Sequence, residues 1–121
     1  MAKVILIGLE QSAANQISRA LAIGHEIQLQ PKTTPVEDLA LADIIFAGGE
    51  QTQYLTLLRR VRAQYPYLPF VVVTRLAETS DWLDALEAGA TDYCSAPFET
   101  RQINWLMETA LHRTRTAAAA A

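Results

Sequence analysis

The sequence predicts an α/β domain, with five parallel strands in one sheet and helices on both of its faces. Three observations carry this. Four short apolar runs recur along the chain: Val4-Ile5-Leu6-Ile7, Ile44-Ile45-Phe46-Ala47, Phe70-Val71-Val72-Val73 and the shorter Tyr93-Cys94. Continuous β-branched runs belong to strands covered on both faces, which is the habit of parallel sheets. The stretches between them place apolar residues at helical spacing. The connections are short, so right-handed crossovers fold each β-α unit back onto the same sheet.

Val4 to Ile7 forms the first strand, and Ala14, Ile17, Ala20 and Leu21 make the stripe of the helix behind it. Glu26-Ile27-Gln28-Leu29-Gln30 alternates strictly, so the second strand belongs at an edge with one wetter face. Thr34-Pro35-Val36-Glu37 reads as a capping box with proline at the first helical position, and a short helix is expected there. After the third strand, Leu55, Leu58, Val61 and Tyr65 form a second helical stripe. Pro66 and Pro69 bracket the connection into the fourth strand, and Gly89 follows Leu86-Glu87-Ala88 where a glycine ends a helix. The last helix carries Ile103, Met107, Ala110 and Leu111. The order is therefore β-α repeated five times. Ligands of such sheets bind beyond the C-terminal strand ends, where the strand order reverses. The segments to inspect are Gly8-Leu9-Glu10, Ala47-Gly48-Gly49-Glu50, Thr74-Arg75 and Ser95-Ala96-Pro97.

A length of 121 residues suits one domain, here residues 1–113. Residues 114–121, ending in five alanines, are a low-complexity tail, linker or cloning scar with no role in the fold. The single cysteine excludes a disulfide framework and fits a reducing compartment. No apolar run is long enough to span a bilayer, and Met1 to Ile7 is too short for a signal peptide, so a cytoplasmic domain without membrane contact is expected. A net charge of −3 argues against a nucleic-acid surface. The basic cluster Arg59-Arg60-Val61-Arg62 reads as a solvated helix face.

Taken together, Asp43-Ile44-Ile45-Phe46-Ala47, Leu57-Leu58-Arg59-Arg60-Val61-Arg62 and Leu68-Pro69-Phe70-Val71-Val72-Val73-Thr74 form a pattern that continues through Ala88-Gly89-Ala90-Thr91-Asp92-Tyr93 and Pro97-Phe98. It resembles the receiver domain of bacterial response regulators over about residues 3 to 113. The most specific stretch runs from Glu87 to Tyr93, and the segment after the second strand is several residues shorter than the family's. The resemblance implies a flavodoxin-like (βα)5 three-layer sandwich with strand order 2-1-3-4-5. It also implies the chemistry of that family. An aspartate ends the third strand and accepts a phosphoryl group, while two acids after the first strand hold Mg²⁺. A lysine on the fifth strand and a hydroxyl on the fourth bind the phosphoryl oxygens.

Carried over one residue at a time, the phosphoacceptor falls on Ala47, the paired acids on Gly8 and Leu9, and the lysine on Ala96. Only Thr74 and Tyr93 match the family's switch pair. A methyl group accepts no phosphoryl group, and the loss of nucleophile, acids and lysine removes the whole reaction. The resemblance thus implies a degenerate pseudo-receiver that is no enzyme and holds neither metal nor cofactor. Glu10 and Glu50 are read as solvated loop carboxylates, and Gly48-Gly49 as a turn that might equally face an anion. His25 and His112 lack metal-spaced partners. The receiver-like loop also implies a cis Ala96–Pro97 bond.

In the family, the fourth helical segment, fifth strand and fifth helical segment form the output and dimerisation face. Trp82, Tyr93, Trp105 and Leu106 fall there, either as interface anchors or as covers for the edge of the core. With no phosphoryl input, Thr74 is expected to be a strand-end hydroxyl that bonds locally. The leading expectation is a phosphorylation-incompetent signalling domain of the two-component, phosphorelay type, acting through a protein partner or a homodimer. The alternative is a small-ligand or anion sensor that uses an emptied pocket above Gly8, Ala47 and Ala96.

Overall fold

The computed structural model describes residues 2–75, 79–95 and 98–120, apart from the side chains of residues 79 and 112–120. Five strands, β1 (Ala2–Ile7), β2 (His25–Gln30), β3 (Ile44–Ala47), β4 (Phe70–Thr74) and β5 (Asp92–Ser95), form one parallel sheet in the order β2-β1-β3-β4-β5. Val4 pairs with Ile44, Ile45 with Phe70, and Val71 with Asp92. The helices are α1 (Gln11–Leu21), α2 (Gln51–Gln64), α3 (Thr79–Glu87) and α4 (Thr100–Ala120). This is the expected flavodoxin-like sandwich.

Alternation along the strands divides the core in two. Val4, Leu6, Ile44, Phe46, Val71 and Cys94 face a layer built from α1 and α4. Ile5, Ile7, Ile45, Phe70 and Val72 face the layer of α2 and α3. Both faces of β1, β3 and β4 are covered, which is why those strands read as unbroken apolar runs. β2 lies at the sheet edge as expected, but the alternation does not hold along it, since Leu29 is 64% exposed while Gln28 and Gln30 are partly buried.

The structure departs from expectation at four other places. Residues Val36–Leu39 form a single turn of 3₁₀ helix, not an α-helix. Pro35 stands at its N-cap with no side-chain cap bond. The Thr34 hydroxyl instead donates back to the Pro31 carbonyl at 2.7 Å, so no capping box forms. On α2 the buried stripe is Tyr54, Leu57, Leu58 and Val61, with Leu55 and Tyr65 at its rim. Leu106, expected on the surface, is only 4% exposed. It lies one turn beyond Ile103 on the core side of α4 and packs in the α1/α4 layer. Tyr93 packs from the other side of the sheet, so these two residues do not share a surface.

Arg62 is the fourth departure. Its neighbours Arg59 and Arg60 are solvated, but Arg62 folds inward and donates to three backbone carbonyls, those of Gly89, Tyr65 and Leu68. Burial pushes its pKa down from the ordinary arginine value. The Gly89 carbonyl belongs to the turn that ends α3. There Ala90 N–H donates to Ala85 O at 2.9 Å and Gly89 N–H to Leu86 O at 3.1 Å, with Gly89 at φ +105°. That pair of bonds is a Schellman cap, which needs a residue able to adopt positive φ. The α4 backbone is helical through Ala120. The expected cis Ala96–Pro97 bond lies outside the described residues, as does the placement of Ala96.

Candidate functional site

The strand order reverses between β1 and β3, so the crevice beyond their C-terminal ends is where a sheet of this kind presents its site. Three connections meet there: Gly8-Leu9-Glu10 leading into α1, Gly48-Gly49-Glu50 leading into α2, and Thr74-Arg75 after β4.

The turn after β3 folds over the end of its own strand. Gly48 N–H donates to Ile7 O at 3.0 Å, which ties this turn to the end of β1. A Cβ on Gly48 would stand 2.6 Å from the Val73 carbonyl oxygen and 3.0 Å from Leu9 Cδ2. A Cβ on Gly8 would stand 2.8 Å from the Gly48 carbonyl oxygen. Backbone therefore packs against backbone just beyond Ala47, which is itself 1% exposed. An emptied pocket is expected above Gly8, Ala47 and Ala96, of which Ala96 lies outside the described residues. Two cavities open on either side, and neither is lined by Ala47 or Gly8.

The side chains around the crevice are as follows. Leu9 is partly buried against the α1/α4 core. Glu10 caps α1 through its backbone, and its carboxylate meets Arg75 Nε at 3.3 Å. Both partners of that pair are well exposed, so it adds little stability. Glu50 accepts the Gln53 and Tyr54 N–H groups through its main-chain carbonyl. Lys32 enters from the segment after β2. Its stem passes over Gly8, its ammonium lies beside Gly49, and Nζ donates to Gln53 Oε1 at 2.9 Å.

This donor set does not fit Mg²⁺. Gly8 and Leu9 offer no side-chain oxygen, and the acid that follows them, Glu10, is engaged by Arg75. Among the described residues no group of three histidine, cysteine or acidic side chains could hold a metal ion.

Thr74 Oγ1 donates to Tyr93 Oη at 3.2 Å, so the switch-like pair is in contact across β4 and β5. On the same side of the sheet Tyr54 is buried, and its hydroxyl has no hydrogen-bond partner among the described residues. Burial, with Tyr93, Asp81 and Asp84 nearby, pushes its pKa up to about 12 and keeps the phenol neutral. Cys94 is likewise held as an inert thiol. Burial and Asp92 raise its pKa to about 12.

Trp82 and Trp105 are 43% and 58% exposed on α3 and α4, as expected for residues off the core stripes. Lys32, Arg62 and the close approach of Gly48 were not foreseen from the residues. A lysine in a loop carries no periodicity, and Arg62 looks like its solvated neighbours until the turn at Gly89 is in place. A Gly-Gly pair was visible, but what it approaches is not encoded locally.

No family model matches the sequence. The chain is 34% identical over 101 residues to the transcriptional regulatory protein BaeR of Escherichia coli O6:H1, an alignment covering 84% of this chain and 40% of BaeR. It is 33% identical to the phosphate regulon transcriptional regulatory protein PhoB of Klebsiella pneumoniae, over 84% of this chain and 42% of PhoB. The chain thus spans about two-fifths of the length of either relative. Among solved structures, a response regulator receiver domain protein from Clostridium thermocellum superposes with a TM-score of 0.83 at 18% identity, over 97% of this chain and 99% of that one.

Proposed function

We propose that this response-regulator receiver domain works without phosphoryl transfer, as a cytoplasmic protein-interaction module of two-component signalling. The observation that carries the reading is the closed end of β3. No nucleophile stands at Ala47, and just beyond it the Gly48 backbone closes the space between the ends of β1 and β4. Thr74 keeps its hydroxyl, which donates to Tyr93 Oη. One group of the phosphoryl site surviving among several lost cannot stabilise a transfer that needs positioned charge on every side.

Incubation of the chain with acetyl phosphate and Mg²⁺, followed by intact-mass measurement, is expected to leave the mass unchanged. The gain of one phosphoryl group would overturn the reading.

Interaction then has to come from the surface. Trp82, Leu83 and Leu86 on α3 are exposed, as is Trp105 on α4, the two helices that flank the edge strand β5. Aromatic anchors of this kind gain most when buried at the centre of an interface, and symmetric dimers are the commonest assemblies. We place self-association on this face, with Leu106 removed from it because it belongs to the core. Trp105→Ala should weaken dimerisation by about 2 kcal/mol, roughly 30-fold, while changing folding stability by less than about 0.5 kcal/mol. Sedimentation and denaturant melts of the two proteins check both parts. A wild type that stays monomeric at high micromolar concentration would replace the second copy with a different protein partner.

A further inference from the structure

The connection from β2 to β3 forms only the single 3₁₀ turn Val36–Leu39, and a groove opens between its Lys32 and α2. A cavity of about 410 Å³ lies there, within the size range of small-molecule sites. Its floor is apolar, from Ile7, Tyr54 and Leu57, and its polar wall is Lys32, Gln53, Thr52, Thr56 and Arg60. The wall carries two cations and no acid. Among the described residues no carboxylate pairs with either Lys32 or Arg60. Gln53 Oε1 accepts from Lys32 Nζ at 2.9 Å, which holds the ammonium at the rim and leaves the Gln53 amide N–H₂ as a further donor.

The neighbouring cavity, on the other side of Lys32, is larger at about 620 Å³ but electrostatically balanced. There Arg75 is engaged by Glu10, and Glu50 stands on the same wall. An anion entering it would meet as many negative as positive groups. The α2 flank is the one with uncompensated positive charge beside an apolar surface.

We infer that the groove between the Lys32 loop and α2 binds a small organic anion, a phosphate or carboxylate carrying an apolar body. Lys32 and Arg60 take the charged head, and Ile7, Tyr54 and Leu57 take the body. This inference is independent of the loss of phosphoryl transfer, because the groove lies beside Ala47 and not over it. It is equally independent of the tryptophan face.

Phenyl phosphate serves as the probe, titrated into the full chain and followed by amide shifts of Thr52, Gln53 and Thr56. Saturable shifts at these amides are expected, with inorganic phosphate and phenol each binding at least threefold more weakly. Lys32→Gln and Arg60→Gln should each weaken the probe at least fivefold, and Arg75→Gln should leave it within twofold. Overlaid spectra away from the groove confirm that each surface variant is folded. Absence of saturable shifts, equal binding by inorganic phosphate or phenol, or indifference to both cation removals would overturn the proposal. A loss confined to Arg75→Gln would do the same by moving the anion to the other cavity.

Discussion

Arg62→Ala is expected to lower folding stability by about 3 kcal/mol, measured by denaturant unfolding, in spite of its position in a run of surface arginines. The guanidinium joins three chain segments. Nε donates to the Gly89 carbonyl at 2.7 Å, at the end of α3. One Nη donates to the Tyr65 carbonyl at 3.2 Å and to that of Leu68, in the connection into β4. The other reaches Thr91 Oγ1 at 3.3 Å, and that oxygen also accepts the Phe70 N–H at 3.0 Å. Hydrogen bonds to a charged donor contribute about 1.5–3 kcal/mol each in favourable settings. Here the group is only half-buried, so water will take over some of the abandoned carbonyls. The sum is therefore well below that of four full bonds. Arg62→Lys should recover little, since one ammonium cannot span a forked set of acceptors. All these contacts lie at the N-terminal end of β4 and β5, so the variant should leave binding in the α2 groove unchanged. A loss below about 0.5 kcal/mol would mean that the clamp follows from the packing of α2 and α3 without holding it.

Arg62 also marks the boundary of what the residues themselves could reveal. The strands were legible because a parallel sheet buries both faces, and burial writes itself as an unbroken apolar run. At Thr34-Pro35-Val36-Glu37 the short helix was legible but the capping box was misread, because the Thr34 hydroxyl bonds back to Pro31. Val36 and Leu39 are both buried within one turn, and Ala40 to Asp43 already lead into β3. Leu106 was legible in principle, standing three residues after Ile103 on the same face, and the assignment to an interface overrode its spacing. The proposed loss of phosphoryl transfer could be argued from residue identity, since an alanine or a glycine lacks the needed group wherever its backbone goes. The Lys32 groove could not, because it exists only between two sequence-distant segments.

Gly48→Ala is expected to cost about 2–3 kcal/mol, and it tests the closed end of β3 directly. The added methyl would stand 2.6 Å from the Val73 carbonyl oxygen, closer than real Cβ contacts come, and 3.0 Å from Leu9 Cδ2. The leucine tip can rotate away. The carbonyl cannot follow so easily, because Val73 belongs to β4, paired in register with Cys94 on β5. The turn must therefore lift, and lifting it weakens the Gly48 N–H bond to Ile7 O. Gly24→Ala supplies the comparison. Gly24 has nothing within 4 Å of an added Cβ but sits at φ +93°, so its variant measures backbone strain alone, roughly 1 kcal/mol. Gly48→Ala should exceed it in the same denaturant melt. If instead Gly48→Ala is tolerated within about 0.5 kcal/mol, the turn swings away from Ala47 at little cost. The barrier to phosphorylation would then be the missing side chains alone, and Ala47→Asp would be the variant in which acetyl phosphate should next be tried.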